Sequence, residues 1–265
     1  MVVTAERVPW AAFFAGALVG TLGGMIGLGG AEFRLPLLIA IFGFVALEAI
    51  ILNKAISLVV VASALLFRLQ VFPLAALLEH WPIVANLLAG SLIGAWLGAS
   101  VAIRLASRTL YQVISVLLLL IAIVLLLGHE ESRNAGPLLF GPLQVVAGVA
   151  AGLAIGIVAS LLGVAGGEFL IPTLILLFGV DIKMAGSLSL AISLPTMIVG
   201  FARYSRERSF SVLAQRKGFV WLMAVGSIAG AFIGSQLLRV VSSAVLLPLL
   251  ALILVVSAVK LWRRT

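Results

Sequence analysis

The sequence is poor in the residues that most catalytic and metal sites require. It contains no cysteine, which excludes disulfides, thiol nucleophiles and thiolate metal sites. Its two histidines, His80 and His129, lie near predicted span ends, and Asp181 is its single aspartate. These residues do not form a set of nucleophile, acid, base or metal ligands. We therefore expect no cofactor, no metal and no enzymatic activity; a membrane-embedded enzyme acting on lipid or polyprenyl substrates is the lesser alternative.

Charged residues are also scarce. They make up 10% of the 265 residues, against 63% hydrophobic residues, and the mean hydropathy is +1.31. The runs 113–127 and 246–259 carry no charge, and roughly 20 apolar residues cross a bilayer. The apolar start, 11–30, leads into further apolar segments without a clear cleavage site, so we predict a retained span rather than a signal peptide. The composition predicts an all-α polytopic membrane protein whose solvent is the lipid bilayer.

The chain is an internal duplication. A shift of 136 residues aligns GLGGAEFRLPLLIAIFG, residues 27–43, with GVAGGEFLIPTLILLFG, residues 163–179, and nine of these seventeen positions are identical. The same shift pairs the AISL runs at 55–58 and 191–194. We therefore predict two transmembrane repeats, 1–132 and 133–265, which together form one transmembrane domain.

We predict five helical elements in each repeat. They lie at 9–27, 35–47, 49–68, 81–104 and 109–127, and at 138–163, 171–183, 185–203, 217–239 and 243–262. An odd number of elements makes the two halves enter the membrane from opposite sides, as inverted repeats.

The distribution of positive charge predicts the orientation. The net charge of +8 comes from basic residues that lie mostly at span ends, where they set topology and touch lipid head groups, so we expect no nucleic-acid partner. With the basic segment 203–217 in the cytoplasm, twelve basic residues lie inside and both termini are cytoplasmic. Five lie outside, namely Arg34, Arg68, Arg133, Lys183 and Arg239.

Each repeat opens with a helix that runs into glycines and then, four residues after a glutamate, a proline. Glycine weakens a helix and proline suits the first turn of a new one, so we predict a break, with new helices starting near Pro36 and Pro172. An irregular backbone at membrane depth must be buried or line a cavity, so the two breaks should meet inside. Free N–H groups at the new helix starts would bind an anion. The predicted cradle is Gly29, Gly30, Ala31, Gly166 and Gly167.

Ionisable residues lie beside both breaks. Glu32 and Glu168 occupy matching positions, where they either cap the helix starts or couple transport to protons by releasing those N–H groups when protonated. Arg34 has no counterpart, because Leu170 holds the matching position. It is either an exposed charge that attracts anions or a salt-bridge partner.

The third element of each repeat supplies further polar groups. Asn53 and Ser57 match Ser189 and Ser193, and each pair is four residues apart on one helix face. Together with Lys54 they are candidate substrate ligands, while the serines have the alternative of bonding their own backbone. The glycines repeated every four residues at 90–98 and 226–234 favour close helix packing, and Asn86 favours a bond between helices.

The glycine-proline elements resemble those of the sulfite exporter TauE/SafE family. The resemblance is carried by Gly27-Leu28-Gly29-Gly30 with Pro36 and by Gly163-Val164-Ala165-Gly166-Gly167 with Pro172, and it covers essentially the whole chain. It implies a bacterial or archaeal transporter that moves sulfite, sulfoacetate or related sulfur-containing anions across the cytoplasmic (inner) membrane. Family members often have three consecutive glycines here. Ala31 and Ala165 each replace one, which bears on the substrate more than on the fold.

Other functions fit part of the pattern. An anion channel would use the same helix dipoles without an alternating-access cycle, and inverted repeats favour the transporter over it. A structural subunit of a larger complex would not need the repeated cavity elements. Small-residue stripes on the surface would allow a homodimer.

Overall fold

The computed structural model describes residues 9–26, 30–69, 74–127, 138–237 and 243–263. These form the helices α1 (Pro9–Ile26), α2 (Ala31–Ala40), α3 (Ala46–Leu69), α4 (Leu74–Glu79), α5 (Trp81–Arg104), α6 (Ser107–Leu127), α7 (Gly141–Leu162), α8 (Gly167–Phe178), α9 (Ile182–Tyr204), α10 (Val212–Gln215), α11 (Lys217–Leu237) and α12 (Ser243–Trp262), with a 3-10 turn at Arg208–Ser211.

The described part of the chain is all-α, as predicted. Five segments are long and apolar enough to cross a bilayer: Ala46–Leu66, Trp81–Arg104, Gly141–Leu162, Lys183–Tyr204 and Lys217–Gly234. Their outer faces carry exposed large apolar side chains such as Trp221 and Phe232, which suit contact with lipid rather than water. The chain is therefore a multi-pass membrane protein.

The opening helices are broken at the predicted glycines, but the new helices start earlier than predicted. α2 begins at Ala31 and α8 at Gly167, whereas we expected starts near Pro36 and Pro172. The residues before them, Gly30 and Gly166, have φ of 72° and 81°, a left-handed conformation that glycine adopts without strain. This turn sets each start, and the proline then lies inside the helix, where it denies a hydrogen bond to the carbonyl four residues back.

Four pairs of helices begin 136 residues apart. They are α2 with α8, α3 with α9, α5 with α11 and α6 with α12. The two short helices α4 and α10 were not predicted, and they fill the corresponding connections before α5 and α11.

The helices pack into two bundles that each take members from both sequence repeats. The first bundle is α1, α2, α3 and α11, and the second bundle is α5, α7, α8 and α9. α3 packs on α9 between the bundles, and α6 packs on α12. A small cluster of Val61, Ala165 and Met197 lies between α3 and α9.

Glycines bring helices of different repeats into backbone contact, α1 with α11 and α5 with α7. A Cβ on Gly20 of α1 would lie 2.2 Å from the carbonyl oxygen of Ser227 on α11, and one on Gly94 of α5 would lie 2.2 Å from that of Leu153 on α7. The packing role predicted for the glycine stripes is confirmed. Because Gly90, Gly94, Gly98, Gly226 and Gly230 face helices of the same chain, they are not an exposed dimer surface.

Basic residues gather at one end of the molecule. Arg203 Nε donates to Ser100 Oγ at 2.9 Å, which joins the C-terminal ends of α9 and α5. The rings of Phe42 and Phe219 lie 4.9 Å apart, which brings the end of α2 to the start of α11. We call this the basic end, and it carries Arg104, Arg108, Arg203, Arg206, Arg208, Arg216 and Lys217.

Two cations counted at span ends are not there. Arg34 and Lys54 are each 0% exposed inside the helices, because their polar heads bind partners in the interior. Without these two residues, the predicted topology has eleven basic residues on the cytoplasmic side and four on the outer side. The acidic connector 129–131, Arg133 and Arg239 lie outside the described residues.

Candidate functional site

The site is built where the two broken helices begin. Gly30 lies against the carbonyl oxygen of Val19, halfway along α1, and Gly166 lies against Ile155 and Ala159 of α7. α2 and α8 therefore start deep in the protein, and with 10 and 12 residues each is too short to cross a bilayer. Their N-terminal ends, with partly unsatisfied N–H groups and a partial positive charge, point into the interior.

Glu32 and Glu168 meet between the two helix starts. They are the second residues of α2 and α8 and are 1% and 4% exposed. Their carboxyl groups are close enough to interact with each other, and the Oε2 atom of each is buried without a hydrogen-bond partner among the described residues. The N-cap residues of the two helices are Gly30 and Gly166, so a capping role for Glu32 and Glu168 stays a prediction. The first bundle and the second bundle thus touch through a pair of acids.

Arg34 is the buried cation beside this pair. It is 0% exposed, so the exposed alternative is wrong. Its guanidinium donates to Asn53 Oδ1 at 3.3 Å, Ser57 Oγ at 3.0 Å and Ser227 Oγ at 3.3 Å, and it interacts electrostatically with Glu32. These partners come from α3 and α11, so the head of Arg34 is fixed within the first bundle.

Asn53 connects both breaks. Its amide nitrogen donates to the carbonyl oxygens of Ala31 at 2.9 Å and Leu162 at 3.1 Å, while its oxygen accepts from Arg34. Ala31 starts α2, and Leu162 ends α7. One side chain of α3 therefore satisfies backbone groups at both interruptions, which an irregular backbone at this depth requires.

Lys54 has a different set of neighbours. Its Nζ lies 3.3 Å from Ser160 Oγ on α7 and 6.0 Å from the ring centre of Tyr204 on α9. The Tyr204 hydroxyl donates to the Ser160 carbonyl oxygen at 2.9 Å. A Cβ on Gly200 would lie 2.9 Å from Nζ, so the ammonium sits directly against that glycine. Lys54 belongs to the first bundle and all of these neighbours to the second.

The serines of α9 divide between the two interpretations. Ser193 Oγ donates to the carbonyl oxygen of Ala165 in the second break at 2.7 Å. Ser189 Oγ donates to the Gly186 carbonyl oxygen at 2.9 Å, within its own helix. Ser193 therefore stabilises the backbone of the second break, whereas Ser189 bonds the backbone of its own helix.

The structure thus brings most predicted residues to one buried region. Gly30, Ala31, Glu32, Arg34, Asn53, Ser57, Gly166, Gly167, Glu168 and Ser193 lie at the breaks or bind their side chains and backbone. Gly29 lies outside the described residues. Asn86 makes the predicted bond between helices, to the Val145 carbonyl oxygen at 3.0 Å.

Three residues that contact Arg34 or Lys54 were not predicted as site residues. The internal duplication does mark Ser227, because Ser227 repeats Ser91 inside matching glycine-serine pairs. It does not mark Ser160 and Tyr204, because their repeat mates are Gly24 and Arg68.

The cations of the site break the symmetry of the repeats. The acids are paired, but the mates of Arg34 and Lys54 are Leu170 and Leu190. Both buried cations therefore come from the first repeat. Two helix N-termini, a guanidinium and an amide, closed off from solvent, are a chemistry that recognises anions.

Broken helices that converge at membrane depth on such a site define a polytopic membrane transport protein. The sulfite exporter TauE/SafE family model matches residues 7–261, and the chain belongs to this family, which confirms the resemblance at the glycine-proline elements. The family is one of membrane transporters. No curated protein and no solved structure matches the chain.

Proposed function

We propose that this protein is a secondary transporter that moves a small sulfur-containing anion, such as sulfite or sulfoacetate, across the cytoplasmic (inner) membrane of a prokaryote by alternating access. The observation that carries the proposal is the meeting of two half-helix N-termini beside the buried Arg34. Helix N-termini attract negative charge, and a guanidinium bonds oxyanions in two directions at once. Family membership supports a sulfur-containing anion as the substrate.

In the closed conformation the protein's own acids occupy the anion position. The carboxyls of Glu32 and Glu168 are buried in the first turns of α2 and α8, beside the helix-start N–H groups that an oxyanion would use. A substrate must therefore displace them. The site residues are at most 4% exposed, so the bundles must also separate before an anion enters.

A proton is the means we propose for that displacement. Two carboxyl oxygens that face each other can be joined only when one carries a proton, because carboxylates only accept hydrogen bonds. A second proton would leave neither carboxyl as a strong acceptor, and the N–H groups would be released to the anion. The charged group that acts on the pair is Arg34 on α2. The other buried cation of the described chain is Lys54 on α3, and α7, α9 and α11 contribute the buried hydroxyls of Ser160, Ser193 and Ser227.

We further propose that the two sequence repeats, 1–132 and 133–265, are inverted. α1 runs parallel to α11, since Gly16 contacts Met223 and Gly20 contacts Ser227. Where α3 crosses α9, Lys54 contacts Gly200 and Val61 clusters with Met197, so the sequence advances on one helix and recedes on the other. Antiparallel mates are what inversion requires. The positive charge of the basic end supports its placement, and that of both termini, in the cytoplasm.

Anion binding and transport test the proposal in two steps. Purified protein is titrated with sulfite, sulfoacetate and chloride by calorimetry, and then assayed for labelled sulfite uptake in proteoliposomes. We expect saturable sulfite or sulfoacetate binding, reduced at least about tenfold in Arg34→Gln and less in Arg34→Lys, which keeps the charge but loses the fork. Ser205→Ala, an exposed hydroxyl at the end of α9, is the control.

The outcomes separate the functions. Saturable binding with counterflow of preloaded sulfite supports the transporter. Conductive sulfite current without counterflow indicates an anion channel. Absence of binding by any of these anions contradicts an anion site at the breaks.

A further inference from the structure

Lys54 is a buried cation that the central site does not use. It is 0% exposed, and its ammonium has three N–H donors. Among the described residues the one acceptor recorded within hydrogen-bond distance is Ser160 Oγ, at 3.3 Å. The buried acids of the described chain are Glu32 and Glu168, and the cation that interacts electrostatically with Glu32 is Arg34. A hydroxyl compensates a buried ammonium poorly, so this side chain favours an anion as partner.

The ammonium end of Lys54 reaches across the boundary between the bundles. It extends from α3 in the first bundle to Ser160, Gly200 and Tyr204 in the second bundle. Gly200 and Tyr204 belong to the last turns of α9, which lead into the basic segment 203–217. Opening the bundles at the basic end would therefore withdraw Ser160 from Lys54 and expose the ammonium to that side.

This position is distinct from that of Arg34. Asn53 and Lys54 are neighbours on α3 and point about 100° apart around the helix. Asn53 faces the helix starts and Arg34, while Lys54 faces α7 and α9. At the opposite end the repeat mate of Lys54 is Leu190, so the second repeat supplies no equivalent cation there.

We propose that Lys54, with Ser160, forms a second anion subsite that opens only toward the basic end and holds the anion on its way between the basic segment and the helix-start site. The inference rests on the proposed function, because its anion is that transporter's substrate. An anion replaces Ser160 as the partner of Lys54 when the bundles open, and closure returns the ammonium to the hydroxyl.

Calorimetric titration with sulfite tests the subsite. We expect two sulfite ions per wild-type chain, and one per chain for Lys54→Met with the affinity of the remaining site within about threefold of its wild-type value. Because Lys54→Met changes a buried charge, Gly200→Ala is the second variant. It keeps the lysine, but the new methyl would lie 2.7 Å from Ser160 Oγ and 2.9 Å from Lys54 Nζ, and should weaken the second site at least about tenfold. Gly218→Ala, with nothing within 4 Å, is the matched control.

The possible results are distinguishable. No sulfite binding by wild-type protein overturns the proposed function itself. One site that Lys54→Met leaves unchanged overturns the subsite alone, and so does one site that disappears with Lys54, since the two cations would then form a single site. Two wild-type sites that both persist in Lys54→Met and Gly200→Ala also overturn it.

Sidedness gives an independent readout. In vesicles of known orientation, Lys54→Gln should raise the half-saturating sulfite concentration several-fold for transport from the basic end and leave that from the opposite end within twofold. Equal changes from both ends would overturn a subsite that opens to one side.

Discussion

At the scale of single residues, Asn53 is the side chain on which both breaks depend. Its amide bonds one carbonyl at each interruption and accepts from Arg34, so its three interactions fix two backbones and a cation. Each group that loses its partner in the interior costs roughly 1–3 kcal/mol. This residue type is hard to replace, because it must donate twice and accept once.

We expect Asn53→Ala to lower the free energy of unfolding by about 2–4 kcal/mol and to abolish sulfite binding, since both helix starts lose their fixed positions. Thermal unfolding in detergent and calorimetry measure the two effects. Asn86→Ala is the control, because it removes one bond between helices away from the site and should cost about 1 kcal/mol without changing binding. Equal effects of the two substitutions would contradict the role of Asn53.

Three glycines separate backbone strain from crowding. Gly30 has a positive φ and lies against the carbonyl oxygen of Val19, where a Cβ would come within 2.3 Å. Gly141 has a positive φ of 63° but nothing within 4 Å, and Gly218 has neither constraint. We expect alanine to cost least at Gly218, about 1–2 kcal/mol at Gly141, and clearly more at Gly30. Melting temperatures of the three variants check this order, and a tolerated Gly30→Ala would contradict the tight turn before α2.

The acid pair predicts a pH effect on transport rather than on folding alone. If a proton releases the helix-start N–H groups, sulfite uptake should rise as the pH falls in wild-type protein. The double variant Glu32→Gln/Glu168→Gln should lose this dependence, because amides do not titrate. Uptake in proteoliposomes from pH 5 to pH 8 measures it, and Glu207→Gln, a partly exposed acid paired with Arg203, is the control. An unchanged pH profile in the double variant would leave the acids a capping role only.

At the scale of helices, the sequence predicted the breaks but not where the new helices start. Proline is tolerated inside a helix when its missing bond can be accommodated, so Pro36 and Pro172 mark the element without marking its first residue. The conformation of Gly30 and Gly166 decides the start, and a glycine's φ is not written in the sequence. α4 and α10 were not predicted either, because they are short and lack a full apolar stripe.

The burial of Arg34 and Lys54 was also not predicted from the sequence. Lys54 and Arg34 look like residues at span ends because span limits from hydropathy are uncertain by several residues, and nothing local announces that Asn53, Ser57 and Ser227 converge on a guanidinium. Periodicity and the 136-residue shift predicted the symmetric features, namely the breaks, the acids and the glycine packing. They had no means of predicting contacts that the two repeats do not share.

At the scale of the molecule, the proposed alternating-access cycle would move the two bundles relative to each other. Each holds one half-helix and one glycine-packed pair of parallel helices, which bring backbones into contact and leave little freedom to slide. The boundary between them contains the acid pair, the bond from Lys54 to Ser160 and the small cluster around Val61. Alternating access by rocking would open this boundary from either end while each bundle keeps its own packing.

Engineered disulfides test that division, and a chain without cysteine is a clean background for them. Ser91 and Thr196 lie in the second bundle with their hydroxyl oxygens 2.7 Å apart, so Ser91→Cys/Thr196→Cys should form a disulfide that leaves sulfite transport largely intact. Val61 and Met197 cluster across the boundary, so Val61→Cys/Met197→Cys should stop transport when oxidised and restore it on reduction. Each pair is compared with its own reduced form, which controls for the substitutions. If the cross-boundary disulfide forms and transport continues, the bundles do not separate there, and an anion must pass through a structure that stays closed along α3 and α9.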